Sequence, residues 1–135
     1  MIEHNKSLAD AAKKAGVIDP KDYATFQNAG YKGLYGGMTA QDIKNKKGLK
    51  KSHNILDYMG STELAANLFR ATQTDEKLRR DRIRGIRAAN ETHYQVGKTV
   101  RKTIEELGGT MPEELPTPEK SIKQIEKEQE QKQLV

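Results

Sequence analysis

The sequence predicts an all-α fold, a compact bundle of about five or six helices that ends in a proline-bearing strap and a frayed C-terminal helix or tail. Apolar residues recur at spacings of three and four between glycines and prolines, and no stretch alternates apolar and polar residues as a β-strand would. Leu, Ile, Val and Phe occupy 25 of the 135 positions, which is close to the composition of disordered chains. Because the net charge is only +5, we expect a folded domain with a thin core.

Glycines delimit the first two predicted helices. The first covers residues 4–15, with four apolar residues on one face and Gly16 to end it. Asp19 is placed to cap a second helix that has Pro20 at its first position. Gly30 is expected to stop this helix.

Residues 31–38, YKGLYGGM, contain three glycines and two tyrosines and are predicted to form a loop. Two interpretations of Tyr31 and Tyr35 stay open. Exposed rings beside a flexible backbone would stack on nucleic-acid bases or contact a protein partner. Alternatively, the rings fill the gap between helices, which the shortage of other large apolar residues favours.

A third helix is predicted to begin after Thr39, with Asp42 in a capping-box position, and to end at Gly48. Residues 48–59 then place three apolar side chains on one helical face. Gly60 is expected to end that segment and to open a turn.

The helix after this turn is expected to be capped by Ser61 or Thr62. It runs to about Thr74 or Leu78, with its leucines and alanines at helical spacing on the inner face. Residues 79–87 interrupt the apolar pattern with a run of arginines.

The last long helix carries the strongest periodic signal in the chain. Its inward positions follow at intervals of 3, 4, 3, 4, 4 and 3, namely Ile86, Ala89, His93, Val96, Val100, Ile104 and Leu107. This face fits either the core of the domain or an interface with the same helix of a second copy in a homodimer. Packing within the domain is favoured because Ala and His make a poor coiled coil.

The strap follows the glycines that close this helix. Prolines at 112, 116 and 118 fix φ and remove three backbone donors, so the segment is expected to run extended. Met111 and Leu115 are its expected anchors on the core. Its own chemistry indicates neither catalysis nor phosphate binding.

The chain therefore divides into a helical domain, residues 1–112, and an extended strap with a weakly ordered helical tail, residues 113–135. A terminal helix is expected from about residue 117, with Ile122 and Ile125 as its only anchors, and its polar end, EKEQEQKQ, is expected to fray. The tail has a net charge of −2 and the domain +7, an excess that suits either a polyanion partner or an ordinary solvated surface.

Positive charge is concentrated in two segments. The lysine cluster comprises Lys44, Lys46, Lys47, Lys50 and Lys51, and the arginine cluster comprises Arg79, Arg80, Arg82, Arg84 and Arg87. Either cluster would bind phosphates with a steep salt dependence, and the arginine forks would equally suit an acidic protein surface. The alternative is a solvated surface whose cations meet the C-terminal dipole of a helix. Binding is favoured over this alternative for the arginine cluster, and the two are balanced for the lysine cluster.

Signatures of catalysis and metal binding are missing from the sequence. There is no cysteine, His4, His53 and His93 are isolated, and no HExxH, GxSxG or Walker-type run occurs. The acidic residues are scattered among basic ones, whereas a nuclease needs clustered carboxylates for metal ions. We therefore expect no catalytic residue, metal or cofactor, and no enzyme. No apolar run approaches the ~18 residues of a membrane span, which predicts a cytoplasmic or nucleoid-associated protein without a membrane partner.

Three long segments resemble one bacterial family. They are FQNAGYKGLYGGM, KGLKKSHNILDYMGSTELAANLFRATQT and THYQVGKTVRKTIEELGGTMPEELPTPEKSIKQ. These segments are similar to the C-terminal half of DinD, the family of DNA-damage-inducible D proteins of the SOS response. In that family an N-terminal BRO-type domain precedes this region and has no counterpart here, so we expect the chain to be a fragment.

The resemblance implies a protein that is made after DNA damage and acts in recombination and repair. It also implies a link to RecA nucleoprotein filaments, so this half is expected to be a binding module for single-stranded DNA, for RecA filaments or for both. Alternatively, the domain is a helical assembly or scaffold element that self-associates or packs on the BRO-type half. BRO-type domains also occur in phage antirepressors, which implies gene regulation as a further alternative.

Overall fold

The structure, a computed structural model, describes the backbone of residues 2–119 and 121–133 and the side chains of residues 6–119, 121 and 124–131. Within these residues it contains helices and no strand, which confirms the predicted all-α fold. The helices are α1 Ile2–Lys14, α2 Pro20–Leu34, α3 Ala40–Lys47, α4 Ser61–Arg80, α5 Ile86–Glu106 and α6 Ile122–Gln133. Two short 3-10 turns, Ile55–Tyr58 and Pro112–Glu114, supplement them.

The core consists of two apolar clusters, one at each end of the central helices. α2 packs along α5, and α4 contacts both α5 and α1. The first cluster lies where α1 meets α2 and α4, and it includes Leu8, Ala11, Ala12, Ala15, Val17, Phe26, Ala71, Leu78 and Ala89. The second lies around α3 and the first 3-10 turn, and it includes Tyr31, Leu34, Tyr35, Ile43, Ile55, Leu56, Met59 and Val100.

Glycines bring α2 and α5 into direct backbone contact. A Cβ atom added at Gly97 would lie 2.6 Å from the carbonyl oxygen of Gly30 and 2.9 Å from the backbone nitrogen of Leu34. A Cβ atom at Gly33 would lie 2.8 Å from the backbone nitrogen of Lys98. Because real side chains cannot come so close, these glycines set the separation of the two helices.

The prediction that α2 ends at Gly30 was wrong, because the glycines of this helix serve to pack it against α5. The helix continues through Gly30 and Gly33 to Leu34, and these two glycines are buried against α5 instead of ending the helix. A glycine inside a helix costs about 1 kcal/mol relative to alanine, and the close packing of α2 on α5 offsets that cost. Tyr31 therefore lies in the last turn of α2, and Tyr35 caps its C-terminus.

The α3 prediction is confirmed. The side chain of Thr39 accepts from the backbone nitrogen of Asp42 at 3.2 Å, and the Asp42 carboxylate accepts from the backbone nitrogen of Thr39 at 2.9 Å. Gly48 ends the helix in the left-handed conformation, with φ at +69°. These hydrogen bonds lower the pKa of Asp42.

Residues 48–59 differ from the predicted helix. They are irregular apart from the 3-10 turn Ile55–Tyr58, whose start is capped by the side chain of Asn54. The predicted apolar residues are nevertheless buried. Gly60, and not Ser61 or Thr62, precedes the first turn of α4, without a side-chain capping bond.

α5 confirms the predicted long helix and its packing within the domain. Ala89, His93 and Val100 are buried, whereas the ends of the predicted face, Ile86 and Leu107, are 39% and 80% exposed. The middle of the periodic pattern therefore faces the core and its ends do not.

The strap is anchored at Pro112, which is buried, while Met111 and Leu115 are half-buried beside it. α6 begins at Ile122, five residues after the predicted start. The predicted anchor Ile122 has its side chain outside the described residues, and Ile125 is 37% exposed. The described side chains beyond it are exposed.

Candidate functional site

The arginine cluster divides into paired and unpaired members. Arg79 donates to Asp75 at 2.6 Å, to Asp10 at 3.2 Å and to the carbonyl oxygen of Ser7 at 3.1 Å. The bonds to Asp10 and Ser7 join α4 to α1, and the hydrogen bond to Asp75 contributes most to raising the pKa of Arg79. Arg79 is therefore a structural residue.

Arg80 is also paired, because it donates to Asp81 at 3.0 Å and lies 3.4 Å from Glu76. Both partners are exposed on the surface of α4, where ion pairs contribute little to stability. The Asp81 hydrogen bond raises the pKa of Arg80.

Arg82, Arg84 and Arg87, which we call the arginine turn, are exposed. They form no ion pair with any carboxylate that the structure describes, and Arg84 donates only to the carbonyl oxygen of Ile83 at 2.8 Å. The turn itself is fixed by a hydrogen bond from the backbone nitrogen of Gly85 to the carbonyl oxygen of Ala15 at 2.7 Å.

The backbone of the arginine turn brings these cations to the start of α5. Arg82 has a φ of +51°, which is unusual for a residue with a side chain, and Gly85 has a φ of +104°. The first turn of α5 contains no acidic residue, and no side chain caps it. The positive end of the helix dipole therefore adds to the charge of the three arginines.

Members of the lysine cluster also differ in their environments. Lys47 is 6% exposed and pairs with Glu63 at 2.7 Å, while Lys46 lies 3.3 Å from Glu114 of the strap. Lys44 donates to the carbonyl oxygen of Lys51 at 3.1 Å. The ammonium groups of Lys50 and Lys51 are exposed and form no ion pair with a described residue.

The structure decides between the two interpretations of the tyrosines. Tyr31 is 7% exposed and Tyr35 is 2% exposed, so the interpretation as base-stacking or partner-contacting rings was wrong. Both rings fill the space between helices, as the alternative held. Burial, together with the neighbouring Glu63 carboxylate, raises the pKa of Tyr35.

A polar core that the sequence did not predict lies along the inner face of α4. The hydroxyl of Tyr35 donates to the carboxylate of Glu63 and accepts from Asn67 at 2.9 Å. Lys47 completes the Glu63 site, because its ammonium donates to the other carboxylate oxygen. This group thus joins α2, α3 and α4.

Arg70 and His93 extend the polar core towards α5. Arg70 is 3% exposed and donates to His93 Nε2 at 2.5 Å and to Asn67 Oδ1 at 3.2 Å, with its guanidinium 5.0 Å from the ring centre of Tyr31. His93 Nδ1 lies 2.8 Å from the carbonyl oxygen of Phe26 and must carry the proton, since a carbonyl only accepts.

Both groups have lowered pKa values. Burial lowers the pKa of Arg70, and burial together with the Arg70 charge holds the pKa of His93 well below its usual range. The signal for this core was available in the spacing of Glu63, Asn67, Arg70 and Thr74, which recur at intervals of 4, 3 and 4.

A groove between α2 and α5, the α2–α5 groove, is lined mainly by polar and charged residues and was also missed. Its walls include Thr25, Asn28, Lys32, Arg87, Asn90 and Tyr94. Tyr94 is half-buried, and the ammonium of Lys98 lies 6.0 Å from the centre of its ring. Since Arg87 belongs to both, this groove begins at the arginine turn.

A second groove, between α4 and α5, is apolar. It is lined by Ala65, Phe69, Val100, Ile104, Leu107 and Leu115. Phe69 is 54% exposed and Leu107 is 80% exposed. Large exposed apolar residues grouped in this way commonly mark an interaction surface.

Among the described residues, no three histidine or acidic side chains are grouped so that they could hold a metal ion. His53 Nδ1 accepts from the backbone nitrogen of Lys50 at 3.1 Å, and both ring nitrogens of His93 are engaged. His4 lies outside the residues whose side chains are described.

Comparison with known proteins identifies the family. A family model described as the DinD C-terminal domain matches residues 1–125. The chain belongs to this family. It is 64% identical over 124 residues to the DNA damage-inducible protein D of Escherichia coli (strain K12), and the match covers 92% of this chain and 45% of that relative. The chain thus spans about half the length of the curated relative it matches. No solved structure matches it.

In this DinD domain the residues selected from the sequence fall into three environments. Tyr31, Tyr35 and the side chain of Lys47 are buried. Lys46, Arg79 and Arg80 form ion pairs on the surface, where Lys44 bonds to a backbone carbonyl. The arginine turn, Lys50 and Lys51 are exposed and form no ion pair with a described residue. No helix in the described part of the chain is long and apolar enough to cross a membrane.

Proposed function

We propose that this DinD domain is a non-catalytic binding module of the DNA damage response that holds single-stranded DNA, either free or within a RecA nucleoprotein filament. The observation that carries the proposal is the arginine turn, whose three cations are exposed and form no ion pair with the described residues. The name of the Escherichia coli relative, DNA damage-inducible protein D, supports a role in the DNA damage response.

The chemistry of the arginine turn suits a phosphate backbone. A guanidinium group donates two parallel hydrogen bonds to phosphate oxygens, and each contact releases a counterion from the nucleic acid. Because Arg82, Arg84 and Arg87 have no carboxylate partner among the described residues, binding a phosphate there breaks no ion pair that the structure describes. Arg79, in contrast, would have to leave Asp75.

The test is the affinity of the domain for labelled oligothymidylate, measured by fluorescence anisotropy at two salt concentrations. The triple variant Arg82→Glu, Arg84→Glu and Arg87→Glu is expected to weaken binding by more than about tenfold and to reduce the slope of log K against log salt by about 2. The matched variant Lys50→Glu with Lys51→Glu reverses the exposed charges of the lysine cluster and is expected to have the smaller effect.

RecA filaments assembled on single-stranded DNA provide the second arm of this test. The triple variant is expected to lose affinity for them, while its circular dichroism spectrum and melting temperature stay close to those of the unmodified domain. An unmodified domain that binds neither oligothymidylate nor RecA filaments at low salt would overturn the proposal.

Assembly through the α4–α5 groove is a second candidate role, and the partner that we propose is a second copy of the chain. Phe69 projects from the same face that holds the apolar groove. A face that carries both a projecting ring and a groove can be self-complementary, as a two-fold interface requires.

Sedimentation of the domain over a range of concentrations tests this second candidate. Phe69→Ser is expected to shift a dimer towards monomer, whereas Gln73→Ser, on the same helix, is expected to leave it unchanged. A monomer at all concentrations would rule out this role.

A further inference from the structure

We propose that the α2–α5 groove binds unpaired bases of a single-stranded nucleic acid, with Tyr94 as the stacking platform. The inference rests on the proposed function and deepens it, because it names the groove and the ring by which the domain would select a single strand over a duplex. The arginine turn would bind the phosphates of either form, whereas a base-stacking groove requires a single strand.

Helical spacing places the relevant side chains on one face of each helix. On α5, Arg87, Asn90, Tyr94 and Lys98 follow at intervals of 3, 4 and 4. On α2, Thr25, Asn28 and Lys32 follow at intervals of 3 and 4. Because the two helices are in contact at their glycines, these faces form the two walls of an open groove.

Tyr94 differs from the other tyrosines of the chain. Tyr31 packs edge-on to Tyr35, Tyr23 stacks on Phe26, and Tyr58 lies 4.9 Å from the ring of His53. Tyr94 packs on no aromatic ring of the described residues and its hydroxyl has no hydrogen-bond partner there. It is therefore the tyrosine that remains available for a base.

Three cations are spread along the groove, where they could contact successive phosphates of one strand. Arg87 lies at the end shared with the arginine turn, Lys32 lies on the opposite wall, and Lys98 lies beside the ring of Tyr94. With a rise of 1.5 Å per residue, Arg87 and Lys98 are about 16 Å apart along α5. The one carboxylate of the groove, Glu91, already accepts from Gln95 at 2.8 Å.

The groove also offers amide groups that can recognise base edges. Asn28 uses its carbonyl oxygen to accept from the backbone nitrogen of Ala40 at 3.0 Å, which leaves its amide donors for a ligand. Asn90 Oδ1 is buried and has no hydrogen-bond partner among the described residues. Unpaired bases expose their Watson–Crick edges, to which such amides can bind, whereas a duplex hides these edges and the base faces.

The first experiment uses the absence of tryptophan from the chain. The Tyr94→Trp variant carries one tryptophan, in the groove, and its fluorescence is expected to be quenched when oligothymidylate stacks on the indole. An abasic oligomer of equal length and charge is expected to bind at the arginine turn without quenching. Equal quenching by the two oligomers would contradict stacking.

The second experiment compares affinities. Tyr94→Ala is expected to weaken oligothymidylate binding by about 5- to 150-fold and to leave abasic-oligomer binding unchanged. Tyr94→Phe, which keeps the ring, is the matched control and is expected to retain most of the affinity.

The outcomes separate this inference from the proposed function. If the triple arginine variant abolishes binding and Tyr94→Ala has no effect, the domain binds phosphates only and the groove proposal is wrong while the proposed function stands. Preference of the unmodified domain for duplex over single-stranded DNA would also overturn the inference. If the unmodified domain binds no nucleic acid or RecA filament, the proposed function fails, and this inference fails with it.

Discussion

The inner face of α4 and the turn that follows it place the same guanidinium group in opposite environments. Arg70 is 3% exposed, with Asn67 and His93 as neutral acceptors, and it forms no ion pair with a described carboxylate. Arg84 is exposed, and its hydrogen bond is to a neighbouring backbone carbonyl. Burying a charge without an opposite charge beside it is costly, so the guanidinium of Arg70 needs its buried hydrogen-bond acceptors. The charge of Arg84, in contrast, is available to a ligand.

The first prediction concerns the Glu63 site, where the largest effect on stability is expected. Glu63→Ala leaves the ammonium of Lys47 buried without its carboxylate partner, which is expected to cost about 3–5 kcal/mol in the free energy of unfolding. Urea denaturation followed by circular dichroism measures the loss.

The matched control is Glu114→Ala, which removes the 65%-exposed partner of Lys46. A surface pair of this kind contributes at most about 1 kcal/mol. Equal losses for Glu63→Ala and Glu114→Ala would show that the polar core does not hold the fold in the way that its burial suggests.

The second prediction is a pH dependence that arises from His93. Because its pKa in the folded domain lies well below the ordinary value near 6.5, the unfolded chain takes up the proton first as the pH falls. The contribution of His93 to the free energy of unfolding is therefore at its full value above about pH 6.5, and it is lost as the pH falls from there towards the pKa of His93 in the folded domain. The expected slope approaches about 1.4 kcal/mol per pH unit.

Denaturation at several values between pH 7.5 and about 5 measures this slope above the range in which ordinary carboxyl groups titrate, since their pKa values lie near 4. His93→Gln is expected to lower stability and to flatten the profile in that range. A slope that persists in His93→Gln would assign the effect to another group.

The third prediction separates two arginines of the same cluster. Arg79→Ala removes the hydrogen bonds that join α4 to α1 and is expected to cost a few tenths to about 1 kcal/mol, because the pairs are partly screened by solvent. Arg84→Ala is expected to leave stability unchanged and to weaken oligothymidylate binding. Loss of stability in Arg84→Ala, together with loss of binding but not of stability in Arg79→Ala, would contradict this prediction.

Local chemistry accounts for what the sequence could predict. The reciprocal bonds of Thr39 and Asp42 involve residues three apart, so the pattern alone placed α3 correctly. Gly30 looked like a helix stop, because only the contact with α5 shows why a glycine is needed inside α2.

The functional residues were harder to predict for the same reason. Arg79 and Arg84 are alike in sequence, and the acids that pair with Arg79 lie on α1 as well as on α4. Tyr31 and Tyr94 are likewise indistinguishable until the helix faces are known. Composition therefore located the positive charge, while tertiary contacts decide which part of it is available.

The last and smallest effect concerns Arg82, whose φ of +51° is strained for a residue with a side chain. The left-handed conformation costs such a residue roughly 1–2 kcal/mol, a cost that glycine avoids. Part of the stability gained by a change to glycine is offset, because glycine has the greater chain entropy in the unfolded state. Arg82→Gly is therefore expected to stabilise the domain by about 0.5 kcal/mol and to weaken oligothymidylate binding, whereas Arg82→Ala should weaken binding without stabilising. Denaturation and anisotropy of both variants measure this. If Arg82→Gly binds as tightly as the unmodified domain, the strain at this position is not maintained for the charge of the arginine turn.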